Sequence, residues 1–128
     1  MTTPPKKSVL IVDDDKLIRT MFDRFLSAFY EVRLAVHGGL AVEEVKRQPP
    51  DLIILDLRMP VMDGWQVLQW LETIEPRIPV IVISAETRGP AIASSLVRSR
   101  LTKPIPLKLL REACEAALGG PASGGPVP

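Results

Sequence analysis

At 128 residues the chain is long enough for one domain with its own core and too short for two comfortable ones. Sixteen Lys and Arg against fifteen Asp and Glu leave a net charge of +1, which excludes the strong basic field of a nucleic-acid-binding domain and requires any partner to be recognised locally. With 46% hydrophobic and 24% charged residues, only short apolar runs and one cysteine, Cys114, the composition argues against a membrane span and an internal disulfide. The polar opening carries no apolar stretch of signal-peptide type, so the cytoplasm is the expected address.

Residues 1–7, with two prolines and two lysines, are expected to be disordered. Val9-Leu10-Ile11-Val12 is an uninterrupted apolar run rich in β-branched residues, which reads as a strand buried on both faces. Asp14 and Asp15 are then capping candidates for a helix whose apolar stripe is Leu17, Ile18, Met21, Phe22, Phe25, Leu26 and Phe29. Tyr30 to Ala35 alternates and reads as a half-exposed edge strand, followed by a helix at about Leu40 to Arg47. Pro49 and Pro50 precede the second buried run, Leu52-Ile53-Ile54-Leu55. A helix over Trp65 to Ile74 comes next, with Val67, Leu68 and Leu71 inward. Pro79 introduces the third run, Val80-Ile81-Val82-Ile83. The Ala/Ser-rich segment Pro90 to Val97 is predicted as a short fourth helix, and a short edge strand is placed near Arg100-Leu101-Thr102. The last helix runs over Leu107 to Leu118, with Leu110, Ala113, Cys114 and Ala117 inward. Residues 119–128 hold four glycines, three prolines and no charge and read as a flexible tail or linker, leaving 8–118 as the folded domain.

Five strands alternating with five helices predict an open, doubly wound parallel α/β sheet with right-handed crossovers. Ligands of such sheets bind beyond the carboxyl ends of the central strands. The polar residues at those ends are therefore the candidates for chemistry: Asp13, Asp14 and Asp15 after the first run, Asp56 after the second, Ser84 after the third and Lys103 after Leu101-Thr102.

Three converging carboxylates raise one another's pKa unless a cation joins them. All-oxygen ligands without His or Cys favour a hard divalent ion, Mg²⁺ foremost, with Mn²⁺ meeting the same requirement. A hydroxyl from Ser84 and an ammonium from Lys103 opposite that ion make a receptacle for a phosphoryl group. Asp56, at the end of the central strand, is the candidate nucleophile, with Asp13 and Asp14 as the metal carboxylates.

The segments Leu10-Ile11-Val12-Asp13-Asp14-Asp15, Leu55-Asp56-Leu57-Arg58-Met59-Pro60-Val61-Met62-Asp63-Gly64, Ile83-Ser84-Ala85 and Leu101-Thr102-Lys103-Pro104 resemble the four signatures of the response-regulator receiver domain of two-component signalling, in order over about residues 8–118. The resemblance implies a flavodoxin-like (βα)5 sheet of strand order 2-1-3-4-5. It further implies Asp56 as phospho-acceptor; Asp14, Asp56 and the backbone carbonyl of Arg58 as direct Mg²⁺ ligands; Asp13 as a ligand through water; and Ser84 and Lys103 on the phosphoryl oxygens. The implied donor is a phosphohistidine on a sensor histidine kinase or a phosphotransfer protein. The expected output is a separate protein or a fused output domain, the resemblance adds slow self-dephosphorylation, and the balanced charge and short apolar runs predict no direct binding of nucleic acid or membrane.

The chain departs from that pattern where the family carries Tyr or Phe three residues before the lysine: here it is Arg100. Leu96-Val97 replaces the usual Gly-Ala pair, and Ile105 the usual Phe. These changes fall on the output face: Arg88, Arg98, Arg100 and Lys103 bracket the predicted fourth helix, and this basic face is expected to meet an acidic partner, with Arg100 changing its contacts when the phosphoryl group arrives. Two competing readings are a pseudo-receiver acting only as an interaction module, and a phosphatase with an aspartyl nucleophile. The second is opposed by Arg58, which stands where such enzymes place a second carboxylate. Among the other singled-out residues, Asp15 reads as a cap, Asp63-Gly64 as a turn, His37 as a solvated loop residue, Cys114 as core, and Trp65 and Trp70 as packing residues.

Overall fold

The computed structural model describes residues 5–59, 63–85, 92 and 94–119. Five parallel strands, β1 (Ser8–Val12), β2 (Glu31–Ala35), β3 (Leu52–Asp56), β4 (Val80–Ser84) and β5 (Val97–Thr102), form one sheet in the order β2-β1-β3-β4-β5. This is the doubly wound, flavodoxin-like arrangement expected from the sequence. The central strands β1, β3 and β4 are the three continuous apolar runs, and their residues Val9–Val12, Leu52–Leu55 and Val80–Ile83 are all fully buried.

Among the described residues, four helices cover the sheet: α1 (Lys16–Leu26), α2 (Gly38–Arg47), α3 (Gly64–Leu71) and α4 (Leu107–Ala117). Alternation along each strand splits the core into two layers. Leu10, Val12, Ile53, Leu55, Val80 and Val82 face Ala41 and Val45 of α2 and Val67, Leu68 and Leu71 of α3. Val9, Ile11, Leu52, Ile54, Ile81 and Ile83 face Phe22 and Leu26 of α1 and Leu110, Ala113 and Cys114 of α4. The Val, Leu, Ile and Phe side chains of these layers each contribute about 1.5–3 kcal/mol by leaving water.

The predicted fourth helix is corrected. Residues 90, 91 and 93 lie outside the described residues; of the rest, Ser95 and Leu96 form a turn, and Val97 already opens β5. Leu96 is buried and packs in the α2/α3 layer, so its apolar character marks the approach to an edge strand rather than a helical face. The stripe on α1 is also narrower than predicted, because Leu17 and Met21 are 65% and 42% exposed. His37, read as solvated, caps α2: its Nδ1 accepts from Leu40 N at 3.2 Å. The expectations for residues 1–4, Arg88 and residues 120–128 lie outside the described residues.

Candidate functional site

Three backbone hydrogen bonds carry the sheet ladder one step past the strands: Asp13 N to the Ala35 carbonyl (3.2 Å), Leu57 N to the Ile83 carbonyl (3.2 Å) and Lys103 N to the Ser84 carbonyl (2.8 Å). The loops bearing the chemistry therefore leave the sheet from fixed positions at one edge. Asp15 caps α1 by accepting from Leu17 N and Ile18 N at 2.8 and 3.4 Å, and its own N–H donates to Asp13 Oδ1 at 2.9 Å. The run Asp13-Asp14-Asp15 is thus divided by location: Asp13 is buried, Asp14 is exposed at the rim, and Asp15 belongs to the helix.

Carboxylate oxygens of Asp13, Asp14 and Asp56 all lie within 4.8 Å of one another. Lys103 reaches into this cluster, its Nζ 2.9 Å from Asp13 Oδ2 and 3.4 Å from Asp56 Oδ2. Asp56 is 3% exposed and its Oδ1 accepts from Arg58 N at 3.1 Å. Ser84, 3% exposed, closes β4 beside these groups and is tied to Lys103 by its carbonyl. Asp13, Asp14, Asp56 and Lys103 thus gather at one edge of the sheet, where Ser84 ends β4, while Asp15 serves α1.

Burial pushes the Asp56 carboxyl up to about 6, and the Asp13 charge adds to the rise, while the Arg58 N–H and Lys103 pull against it. For Lys103 burial acts downward, but the hydrogen bond and charge of Asp13, with those of Asp56, outweigh it and leave the ammonium above its ordinary range. Within the cluster three carboxylates face one ammonium, and an all-oxygen donor set of that charge fits a hard divalent cation.

One contributor was legible only as a turn. Asp63 caps α3 through a capping box with Gln66, its Oδ1 accepting from Gln66 N at 3.0 Å and its N–H donating to Gln66 Oε1 at 3.1 Å. Gly64 then approaches the backbone of Asp56 and Leu57 so closely that a Cβ would collide with it. The dipeptide Asp63-Gly64 was the available signal; the contact it serves is long-range and has no local signature. Trp65 lies next to it and helps line an open depression of about 500 Å³ with Leu57, Arg58, Met59 and Asp63.

Residues 9–115 match the response regulator receiver domain. The chain belongs to this family. The receiver is 35% identical to the transcriptional regulatory protein GlrR of Escherichia coli over 92% of its own length and 27% of that protein. It is also 35% identical to the autoinducer 1 sensor kinase/phosphatase LuxN of Vibrio campbellii over 81% of its length and 13% of that protein. The receiver thus spans about a quarter or less of these curated relatives. Among solved structures it superposes on the chemotaxis protein CheY4 of Vibrio cholerae with a TM-score of 0.77 and 29% identity, covering 88% of the receiver and 99% of that chain. It is a receiver domain of two-component signalling, a family whose acidic pocket binds Mg²⁺. Among the described residues, no helix is long and apolar enough to cross a membrane.

Proposed function

We propose that this receiver accepts a phosphoryl group on Asp56 from a phosphohistidine donor and passes the signal on through a changed protein-binding surface. The observation that carries the reading is the convergence of Asp13, Asp14 and Asp56 around the Lys103 ammonium. An Asp56 carboxylate oxygen forms the new P–O bond as the P–N bond of the donor breaks, and the electron pair leaves with the imidazole nitrogen. Lys103 neutralises phosphoryl oxygens and Ser84 donates its hydroxyl proton to one of them. Arg58 N–H holds the acceptor carboxylate in orientation. Asp14, Asp56 and the Arg58 carbonyl would hold Mg²⁺ directly and Asp13 would hold it through water, and the bound ion would supply charge neutralisation for the transferring group.

Burial of Asp56 supports this role: a carboxylate that has lost its water is a stronger nucleophile once a cation keeps it deprotonated. Incubation with acetyl phosphate and Mg²⁺ tests the proposal by intact mass. One added phosphoryl group, absent in Asp56→Asn, is expected; no adduct would favour an interaction module without phosphorylation. Slow self-dephosphorylation is consistent with the same pocket, because Arg58 offers no carboxylate to activate water as a phosphatase does.

The kinase or phosphotransfer protein that supplies the phosphoryl group, and the output protein or fused domain that reads it, are part of this proposal. We propose β5 as part of the output surface, because Arg100 lies opposite Val82, one strand residue from the Ile83/Leu101 pair and two from Ser84/Thr102. Hydrogen exchange with and without beryllofluoride checks this placement; protection changes that leave β5 untouched would refute it.

A further inference from the structure

The Asp56 side chain is oriented by Arg58 N–H, but the position of its backbone has a second determinant. The Gly64 N–H donates to the Leu57 carbonyl at 3.1 Å, so the first residue of α3 rests directly on the end of β3. A Cβ at this position would overlap the Asp56 carbonyl oxygen and stand 2.6 Å from Leu57 Cα and 3.0 Å from the Asp56 carbonyl carbon. All three are backbone atoms, which have no alternative rotamer to adopt. Nor can α3 retreat easily. The Asp63–Gln66 capping box fixes its first turn, and Val67, Leu68 and Leu71 pin its inner face to the sheet.

We infer that Gly64 is a positioning residue for the acceptor: the absent side chain lets α3 seat against the Asp56 peptide and hold its carboxylate in register with Asp13 and Lys103. The inference rests on Asp56 being the acceptor and a metal ligand. Moving Leu57 Cα from 2.6 Å to the 3.4 Å of an ordinary contact requires a shift of about 0.8 Å (3.4 − 2.6). Asp13 and Lys103 are carried by the ends of other strands, β1 and β5, and among the described residues neither is bonded to Gly64 or to the α3 first turn. Metal ligands tolerate displacements of only about 0.2 Å, and a misplacement of about 1 Å at a reacting centre can cost on the order of 100-fold in rate.

The test compares Gly64→Ala with Gln66→Ala, which weakens the same first turn without touching Asp56. Mg²⁺ binding is read by calorimetry and phosphoryl uptake from acetyl phosphate by intact mass, with folding checked by circular dichroism. Gly64→Ala is expected to weaken Mg²⁺ binding at least roughly tenfold and to slow uptake on the order of 100-fold. Gln66→Ala is expected to lose stability alone. If Gly64→Ala unfolds in buffer, trimethylamine N-oxide restores the folded state for the titration. Equal Mg²⁺ affinity in Gly64→Ala and the parent, equal losses in the two variants, or unfolding that the osmolyte cannot reverse would each overturn the inference. A parent protein that takes up neither Mg²⁺ nor phosphoryl would instead sink the reading of Asp56 on which it rests.

Discussion

Lys103 Nζ stands 2.9 Å from Asp13 Oδ2, closer than its 3.4 Å approach to Asp56 Oδ2. The ammonium is therefore committed first to the fully buried carboxylate, and Asp56 is left with the weaker share of its charge. Lys103→Ala should leave two buried carboxylates without a protein cation. Its side chain is 20% exposed, so the loss of stability is expected at about 1–3 kcal/mol, below that of a fully buried pair. Urea unfolding without Mg²⁺ measures it. Mg²⁺ affinity should be retained, since a competing cation has been removed, whereas coupling between phosphoryl uptake and structural change should be lost. A variant that no longer binds Mg²⁺ would contradict this division of roles.

The raised Asp56 pKa sets a pH dependence of opposite sign to that of a salt-bridged carboxylate. Burial lifts the group from 3.8 to about 6, so the native state holds its proton where the unfolded chain has released it. Stability from this group is full below pH 4 and falls as pH rises to about 6. Asp56→Asn cannot ionise and should be more stable than the parent at pH 7.5 without Mg²⁺, by about 1–3 kcal/mol. Paired urea melts at pH 4.5 and 7.5 give the comparison; a difference that shrinks with rising pH would be the wrong sign.

Mg²⁺ should reverse part of that cost. A ligand bound only by the native state adds about 2.7 kcal/mol at 100 times its dissociation constant. Thermal unfolding with excess Mg²⁺ and again after chelation should show a higher midpoint with the ion, and Asp14→Ala should abolish the shift.

Cys114 is fully buried, and burial, with the Glu115 charge as a smaller cause, pushes its thiol from 9.0 up to about 12. It should resist alkylation at pH 8 in the native protein and react as urea unfolds the chain. Because the folded value is raised, its contribution to stability is complete below pH 9 and is lost between there and about pH 12. Rapid labelling under native conditions would show that α4 opens locally.

Asp15 acts on α1 through backbone N–H groups at Leu17 and Ile18. Asp15→Ala is expected to cost about 1 kcal/mol in a urea melt and to leave Mg²⁺ affinity unchanged. Asp13→Ala, two residues away, should do the reverse and weaken metal binding.

The sequence disclosed those parts of the molecule that have a local chemical reason. β1, β3 and β4 are covered on both faces, so their runs are wholly apolar; the polar residues next in the chain fall at one sheet edge once the strands are parallel. β5 was underestimated. It pairs on one side only and carries Arg98 and Arg100, so its apolar signal begins at Leu96-Val97, in a segment that also satisfies a weak helical period. His37 and Gly64 look like loop and turn residues in the sequence because their partners, Leu40 N and the Asp56 peptide, are set by backbone geometry. Arg100, which stands where the family has an aromatic residue, is placed by strand pairing opposite Val82.

The pocket draws its groups from the ends of four strands, the first at residue 13 and the last at residue 103. No shorter stretch of the polypeptide possesses the chemistry. In a growing chain the carboxylates of β1 and β3 are made well before β5, and their protein counter-charge arrives only when β5 joins the sheet margin and delivers Lys103. A half-made copy thereby lacks the Lys103 contacts to Asp13 and Asp56.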